Sequence, residues 1–260
     1  MKQKLYIVDA FAKGLFTGNP AAVCPLNEWL ADDILQKIAM ENNQAETAFY
    51  VKESEGYRLR WFTPLVEVDL CGHATLATAH VMYEHEGYVG QTIVFNSRSG
   101  PLTIEKMQDG YSLDFPADVL AEVPLTKEIS DCFDLKPKIV FKGKTDYMLV
   151  YDNESDIRKI QPNFDVIAKL PARGVIVTAH GGTVDFVSRF FAPQCGINED
   201  PATGSAHTSL SVYWARTLAK KDFEAIQLSK RKGYLKCIFL GDRIVLRGSA
   251  KTYLVGEINI

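Results

Sequence analysis

The chain has 260 residues, of which 47% are hydrophobic and 23% are charged, so it has a globular composition and room for one or two domains. Its 29 Lys and Arg residues against 32 Asp and Glu residues give a net charge of -3. This composition excludes disordered and fibrous proteins, and the charge balance predicts neither a nucleic-acid partner nor an anionic membrane partner.

In chain order, the first half is predicted to contain a helix that starts after Asn27 and runs through Trp29 to Glu41. A second helix is predicted from His73 to Glu84. Three short β-rich runs follow, namely Thr92–Asn96, Leu102–Lys106 and Tyr111–Phe115. The Met-Gln-Asp-Gly sequence between the last two runs predicts a hairpin.

The second half begins after Pro116–Pro124, a stretch without clear periodicity that is predicted to be a linker. A surface helix is predicted near Asn163–Leu170, and a helix of small and apolar residues from Ser205 to Leu218. Two β-rich runs, Lys236–Leu240 and Arg243–Arg247, flank a Gly-Asp turn and predict a second hairpin.

The five cysteines are odd in number, lie far apart and include no CxxC pair. This pattern argues against a disulfide framework and a thiolate zinc site, and it predicts a reducing compartment. No apolar run reaches the ~18 residues of a membrane span. The apolar run near the start is interrupted by Asp9, which makes it too short for a secretory signal. We therefore expect a cytoplasmic protein.

One sequence segment occurs twice. Arg60–Pro64 reads RWFTP and recurs as RFFAP at Arg189–Pro193, and each copy leads through an acidic residue and a glycine into a helix of small residues. Neither helix has the charged face of a surface helix, so each is predicted to be buried against a sheet. The repeat predicts two pseudo-equivalent α+β halves.

Two helix starts, at Gly72-His73 and Gly204-Ser205, are candidate anion sites because the first N–H groups of a helix are unpaired and carry partial positive charge. Two such ends facing one another would hold a carboxylate. For either junction alone, the alternative interpretation is that the glycine only forms the turn and that Ser205 only caps its helix. The duplication favours the functional interpretation.

Glu46 lies where the predicted first helix gives way to an apolar strand. A carboxylate that points into a cleft there is placed to act as a general acid or base. The alternative is an ordinary surface glutamate.

Metal-binding patterns are weak in this sequence. His73, Asp200 and His207 match no compact ligand spacing, and His80 with His85 lacks a third partner. We predict no metal site from these residues.

A hydrolase triad is a further alternative, since Asp200, Ser205 and His207 are of the right types. However, Gly-x-Ser-x-Gly is absent, and Ser205 and His207 are too close along one helix to face each other. There is also no P-loop and no Gly-x-Gly-x-x-Gly, so a bound nucleotide has no support.

The chain resembles the phenazine-biosynthesis PhzF-like isomerase family over essentially its whole length. The resemblance is carried by six motifs in order: Val8-Asp9-Ala10-Phe11, Phe16–Val23, Asn43–Thr47, Arg60–Pro64, Asp69–Thr75 and Asp200–Ala206. It implies a diaminopimelate epimerase-like α+β fold of two pseudo-symmetric halves, each a β-barrel-like sheet wrapped round a central helix. The expected halves are residues 1–116, joined by the C-terminal strand at about 250–260, and residues 117–249.

The resemblance also implies roles for individual residues. Glu46 matches the proton-shuttling glutamate, and His73 and Asp200 match a polar pair that positions the substrate. The substrate-binding positions implied are Gly72, Gly204, Ser205 and Asn19. Cys71 is similar to one of the two catalytic thiols of the related epimerases, but the second loop, Asp200-Pro-Ala-Thr-Gly, contains no cysteine.

From this resemblance we expect a cofactor-independent isomerase that moves a proton on a small carboxylic-acid metabolite by glutamate acid–base catalysis, in a cleft between the halves. The alternatives are an amino-acid racemase or epimerase and a non-catalytic small-acid binding protein. The family often forms homodimers, so the resemblance admits a homodimer.

Overall fold

The computed structural model describes residues 2–260; Met1, the first residue of the expected N-terminal half, lies outside the described residues. The chain divides into two compact units. The first consists of the residues up to Asp114 together with Arg247–Ile260, and the second is Phe115–Leu246.

Most of the first unit is sheet. Its strands are β1 (Lys2–Ala10), β2 (Asn19–Leu26), β3 (Glu46–Lys52), β4 (Tyr57–Phe62), β5 (Glu67–Val68), β6 (Thr92–Ser97), β7 (Gly100–Met107), β8 (Gly110–Pro116, which reaches the unit boundary) and β17 (Ala250–Asn259), and its helices are α1 (Asp32–Asn42) and α2 (Gly72–Glu84). Strand β1 pairs antiparallel with β17 and with β2. The pairings that follow are β2–β3 parallel, β3–β4 antiparallel, β4–β6 parallel, and β6–β7 and β7–β8 antiparallel. The helices α1 and α2 lie in the two crossovers that these parallel pairs require.

The second unit contains strands β9 (Ala121–Val123), β10 (Ile139–Lys142), β11 (Asp146–Val150), β12 (Gly174–His180), β13 (Phe186–Phe191), β14 (Asp222–Gln227), β15 (Gly233–Phe239) and β16 (Arg243–Gly248, which crosses the boundary), with helices α3 (Lys127–Ser130), α4 (Glu154–Lys159), α5 (Phe164–Ile167) and α6 (Gly204–Leu218) and a short 3₁₀ turn at Pro193–Cys195. Here β9–β10 and β10–β11 are antiparallel, β11–β12 is parallel, β12–β13 antiparallel, β13–β14 parallel and β14–β15 antiparallel. The order of antiparallel and parallel pairings from β1 to β7 is therefore the same as that from β10 to β15. These mixed sheets confirm the predicted α+β class.

The repeated Arg-x-Phe segments form the same local structure in each unit. Arg60 on β4 pairs with Glu67 at 2.7 Å, and Arg189 on β13 pairs with Glu199 at 2.7 Å. Each guanidinium also lies over the phenylalanine two residues later, 5.1 Å from the Phe62 ring and 4.8 Å from the Phe191 ring. The repeat seen in the sequence is thus also a repeat of side-chain contacts.

Each unit has one buried helix. In α2 every residue from His73 to Tyr83 is buried. The hydroxyls of Thr75 and Thr78 donate to the carbonyls four residues earlier, at 2.6 and 2.7 Å, so these polar side chains are satisfied without water. In α6 the Trp214 ring stacks on Phe186 of β13 at 5.7 Å. The prediction of two central helices is confirmed.

Helix α1 begins later than predicted, at Asp32 instead of after Asn27. Ala31 is extended, and the two acidic residues Asp32 and Asp33 occupy the first turn, where they interact favourably with the positive end of the helix dipole. Trp29 lies outside the helix and packs against the core of the first unit.

Two expectations for the second unit were only partly right. The helix expected near Asn163–Leu170 is only the four-residue α5, and Leu170 already lies in a turn bonded to Ile167. The expected linker Pro116–Pro124 contains strand β9, because pairing with β10 (Val123 opposite Val140) supplies hydrogen bonds that no local pattern reveals. Within residues 2–260, no helix has both the length and the apolar character to cross a bilayer.

Candidate active site

Glu46 is the first residue of β3, directly after the turn that ends α1. Asn43 closes that helix in the left-handed conformation (φ 48°) and bonds back to the Ala39 carbonyl. Asparagine adopts this conformation at low cost, which lets the chain reverse into the strand. The Glu46 side chain is 12% exposed.

Asn19 and His73 come to Glu46 from two other elements. Asn19 starts β2, which runs parallel to β3, so the first residues of both strands lie at one end of the sheet. His73 is the second residue of α2, with Cys71 as the extended N-cap and Gly72 as the first helical residue. The parallel pair and the crossover helix therefore gather these residues at one place.

His73 is the centre of this group. Its Nε2 lies 3.0 Å from Oε2 of Glu46, and its Nδ1 lies 3.2 Å from Nδ2 of Asn19. The sulfur of Cys71 is 3.5 Å from Nδ1 and 4.0 Å from Nε2. The Glu46 oxygen is close to the ring but is not aligned as a hydrogen-bond acceptor.

The charge state of this group follows from burial and from its neighbours. Burial by itself lowers the pKa of His73, but the interactions with Cys71 and with the Glu46 carboxylate outweigh it and hold that pKa well above its usual value. Burial also raises the pKa of the Cys71 thiol to about 11, and the Glu46 charge adds to this effect. Cys71 and Glu46 are therefore the two neighbours that favour the charged form of His73.

A charged His73 also determines how Asn19 must be oriented. An imidazolium donates from both ring nitrogens, so the Asn19 amide has to present its oxygen to Nδ1. The amide oxygen and nitrogen are interchangeable by a flip of the side chain. Asn19 is fully buried, and in this orientation it fixes the ring against Glu46.

In the second unit, Asp200 is buried in a polar network. Thr203 donates its hydroxyl to Oδ2 of Asp200, and Gln227 donates its amide to the Asp200 carbonyl at 2.6 Å. The backbone N–H of Thr203 in turn donates to Gln227 Oε1 at 2.8 Å. The network fixes the loop that leads to Gly204, the first residue of α6. Sequence reasoning missed Thr203 and Gln227, although Thr203 lies in the quoted motif.

Ser205, the second residue of α6, has a partner that the sequence analysis also missed. Arg173 donates from Nη1 to Ser205 Oγ at 2.9 Å, while its Nε donates to Asp146 Oδ1 at 2.9 Å. Asp146 is only 3% exposed, so the guanidinium is held by a buried carboxylate. Since Ser205 Oγ accepts from Arg173, its own O–H is available to donate to a ligand.

The hydrolase alternative does not fit these contacts. His207 makes its hydrogen bond from Nδ1 to the Thr203 carbonyl, at 2.8 Å, and burial lowers its pKa to about 4. Ser205 is bonded to Arg173 instead of to His207. The residues needed for a triad are present, but the described residues contain no serine–histidine pair of that kind.

Metal-binding capacity lies in a different set of residues from those weighed in the sequence. One group of three or more potential ligands was found among residues 2–260: Glu46, Cys71 and His73, with donor atoms all within 4.8 Å of one another. Cys71 and His73 are only two residues apart in the sequence, and this short spacing is the signal from which part of the group could have been predicted. Glu46 completes the set only through the fold.

The residues predicted for the site thus fall into two sets. Glu46, His73, Asn19 and Gly72 form one group in the first unit, with Cys71 added. Asp200, Gly204 and Ser205 form another in the second unit, with Arg173, Thr203 and Gln227 added. Their roles stay predictions.

Comparison with known proteins supports the resemblance seen in the motifs. The profile of the family described as "Phenazine biosynthesis-like protein" matches residues 8–256. An uncharacterized isomerase of Pseudomonas aeruginosa is 48% identical over 261 residues, with both chains covered completely. A crystal structure of a PhzF-family phenazine biosynthesis protein from Enterococcus faecalis superposes with a TM-score of 0.97 at 45% identity, over 100% of both chains.

A more distant structure extends the fold relationship. A hydroxyproline epimerase from Agrobacterium vitis superposes with a TM-score of 0.63 at 10% identity, covering 99% of this chain and 92% of that one, which shows a shared fold. From the family profile, the close relative and the close structure together, the chain belongs to the PhzF family of phenazine biosynthesis-like proteins.

Proposed function

We propose that this protein is a cofactor-independent isomerase that moves a proton on a small carboxylic acid, with Glu46 as the acid–base group. The observation that carries the proposal is the buried contact between Glu46 Oε2 and His73 Nε2 at 3.0 Å. A carboxylate held at a nearly buried position by a charged imidazole is suited to remove and return a proton. The isomerase names of the relatives support the same reaction class.

In this reaction Glu46 removes a proton from a carbon made acidic by a neighbouring carboxylate or conjugated diene. The electrons of the C–H bond move into the conjugated system, and the double bond shifts. The protonated Glu46 then returns the proton to another carbon on the same face, so no atom is gained or lost. His73 keeps Glu46 in place during both steps.

The N-terminal amides of α2, beginning at Gly72, are proposed to stabilise charge that develops on the substrate carboxylate. Asn19 fixes His73 and so the direction of the Glu46 oxygen. Gly204 and Ser205 are proposed to bind substrate at the start of α6, and Asp200 to position its polar groups. Arg173 supports Ser205 in that role.

The experiment is a proton-exchange screen. The protein is incubated in heavy water with pools of small amino and hydroxy acids, and NMR detects deuterium at carbon. Wild type is compared with Glu46→Gln and with the matched control Glu41→Gln, whose carboxylate is exposed on α1. Exchange by wild type and the control, but not by Glu46→Gln, supports the proposal.

Other results point to the alternatives. Binding without exchange in any pool would indicate a small-acid binding protein. Inversion at an α-carbon, without a double-bond shift, would indicate a racemase or epimerase.

A further inference from the structure

Glu46, Cys71 and His73 place three different metal-ligand types around one point. Their donor atoms lie within 4.8 Å of one another, and among residues 2–260 no second set of this kind was found. Glu46 comes from the start of β3, and the other two come from the start of α2. Both elements belong to the first unit, so the first unit alone contains the complete set.

The distances between the donor atoms are close to those of a tetrahedral zinc site, although the two measured values fall just outside its range. Zinc binds sulfur at ~2.3 Å and nitrogen or oxygen at ~2.0–2.2 Å, so neighbouring ligands are separated by about 3.2–3.6 Å. The Nε2–Oε2 distance is 3.0 Å and the Sγ–Nε2 distance is 4.0 Å, which lie on either side of that range. The Cys71 sulfur lies nearer to Nδ1, at 3.5 Å, so binding an ion at Nε2 requires the sulfur to move toward Nε2.

The Glu46 carboxylate contributes a buried oxygen to this group. Oε2 of Glu46 lies close to Nε2 but does not accept an aligned hydrogen bond from it. Oε2 is a buried atom without a hydrogen-bond partner, and a bound ion would give it a partner.

The ligand types and the surroundings select the metal. A thiolate with an imidazole favours Zn²⁺, Cd²⁺ or Co²⁺ over Mg²⁺ and Ca²⁺, which prefer oxygen ligands. Metal-bound histidines commonly donate their second ring N–H to a neighbouring acceptor that orients the ring. Asn19, 3.2 Å from Nδ1 of His73, can present its amide oxygen in that position.

From this geometry we propose that Glu46, Cys71 and His73 bind a soft divalent cation, Zn²⁺ in particular, and that the bound ion inhibits the protein. On binding, Cys71 Sγ and His73 Nε2 each form a bond to the ion, and the Cys71 thiol releases its proton to solvent. The inhibition part rests on the proposed function, because a carboxylate bound to zinc cannot accept a proton from substrate.

The test uses Co²⁺ as a spectroscopic probe on the full-length protein. A thiolate ligand produces a sulfur-to-cobalt charge-transfer band in the near ultraviolet, and a tetrahedral site produces intense visible bands. We expect both bands in wild type at one ion per chain. Cys71→Ser should abolish the charge-transfer band, whereas the control Cys195→Ala, which removes the exposed cysteine, should keep it.

Calorimetry with Zn²⁺ gives a second measure. Glu46→Gln should raise the Kd at least about tenfold and Asn19→Ala about 10- to 100-fold, while Cys195→Ala should not change it. These variants keep the test valid if Cys71→Ser fails to fold, which a thermal melt reveals.

No cobalt band in wild type, or a full band in a folded Cys71→Ser protein, overturns the metal site. If the cobalt band appears but Zn²⁺ does not slow proton exchange, the inhibition part of the proposal is overturned. Failure of the proposed isomerase function is separate, since wild type would then show the cobalt band but no proton exchange in metal-free buffer.

Discussion

Nε2 of His73 lies 3.0 Å from Oε2 of Glu46, and the two side chains are only 6% and 12% exposed. Two ionisable groups so close and so buried control each other's charge state. The contact joins the start of a strand to the start of a helix, and the proposed chemistry depends on it.

Replacing Glu46 by glutamine should abolish most turnover without unfolding the protein. The amide has nearly the same shape but cannot accept and return a proton, so we expect a rate loss on the order of 10² to 10⁴. The measurement is the exchange rate in heavy water beside a thermal melt. Glu41→Gln is the control, and near wild-type activity in Glu46→Gln would remove Glu46 from the mechanism.

The same substitution should change the titration of His73. In wild type the pKa is held well above 6.5, so the ring stays charged at neutral pH. Without the Glu46 charge, one of the two neighbours that oppose the effect of burial is lost, so the pKa should fall. Nitrogen-15 NMR of the imidazole measures this directly. An unchanged titration in Glu46→Gln would show that another group stabilises the charge.

The protein should lose stability as pH falls from 6.5 to 4. Burial lowers the pKa of His80 and of His207 to about 4, so both bind a proton more readily when unfolded. Their contribution is complete above pH 6.5 and is lost as pH falls through the folded pKa, on the order of 3 kcal/mol each. His73 has the opposite sign: its contribution is complete below pH 6.5 and is lost as pH rises through its folded pKa.

Urea unfolding at several pH values tests this prediction. His207→Asn places an amide near the Nδ1 position, which can still donate to the Thr203 carbonyl but does not titrate. Its free energy of unfolding should fall less between pH 6.5 and 4 than that of wild type. Equal slopes would contradict the assignment to His207.

Cys71→Ala should cause a much smaller loss of activity than Glu46→Gln. Burial raises the pKa of the thiol to about 11, so at neutral pH it is a poor base, and the second loop has Thr203 in place of an opposing cysteine. We expect a rate within about tenfold of wild type, well short of the loss expected for an acid–base group. A loss as large as that of Glu46→Gln would favour the thiol mechanism of the epimerases.

Gly204→Val should weaken binding of carboxylate ligands. If the first N–H groups of α6 bind the carboxylate, a side chain at Gly204 obstructs the approach to bare backbone. We expect a loss of about tenfold or more for an acid found by the exchange screen, and less for its neutral amide analogue. Calorimetry measures both, and a melt checks folding. Unchanged affinity for the acid would leave Gly204 as a turn residue only.

The sequence by itself determined the repeat, the α+β class and the two buried helices. Each of these features can be read from a short stretch of sequence. The RWFTP and RFFAP segments reveal the repeat, and the small residues of α2 and α6 leave these helices without a charged face. It also singled out Glu46 and His73, since both lie at boundaries between elements. The motifs carried the family assignment, because six of them occur in order.

Only the tertiary structure decided which side chains meet. Asn19 reaches His73 because β2 and β3 are parallel and begin at the same end of the sheet. Arg173 supports Ser205 through the buried Asp146, and the late start of α1 and the strand β9 follow from packing and pairing. Such contacts join residues far apart in the chain, so they depend on strand pairing and helix placement, which no local pattern of residue types encodes.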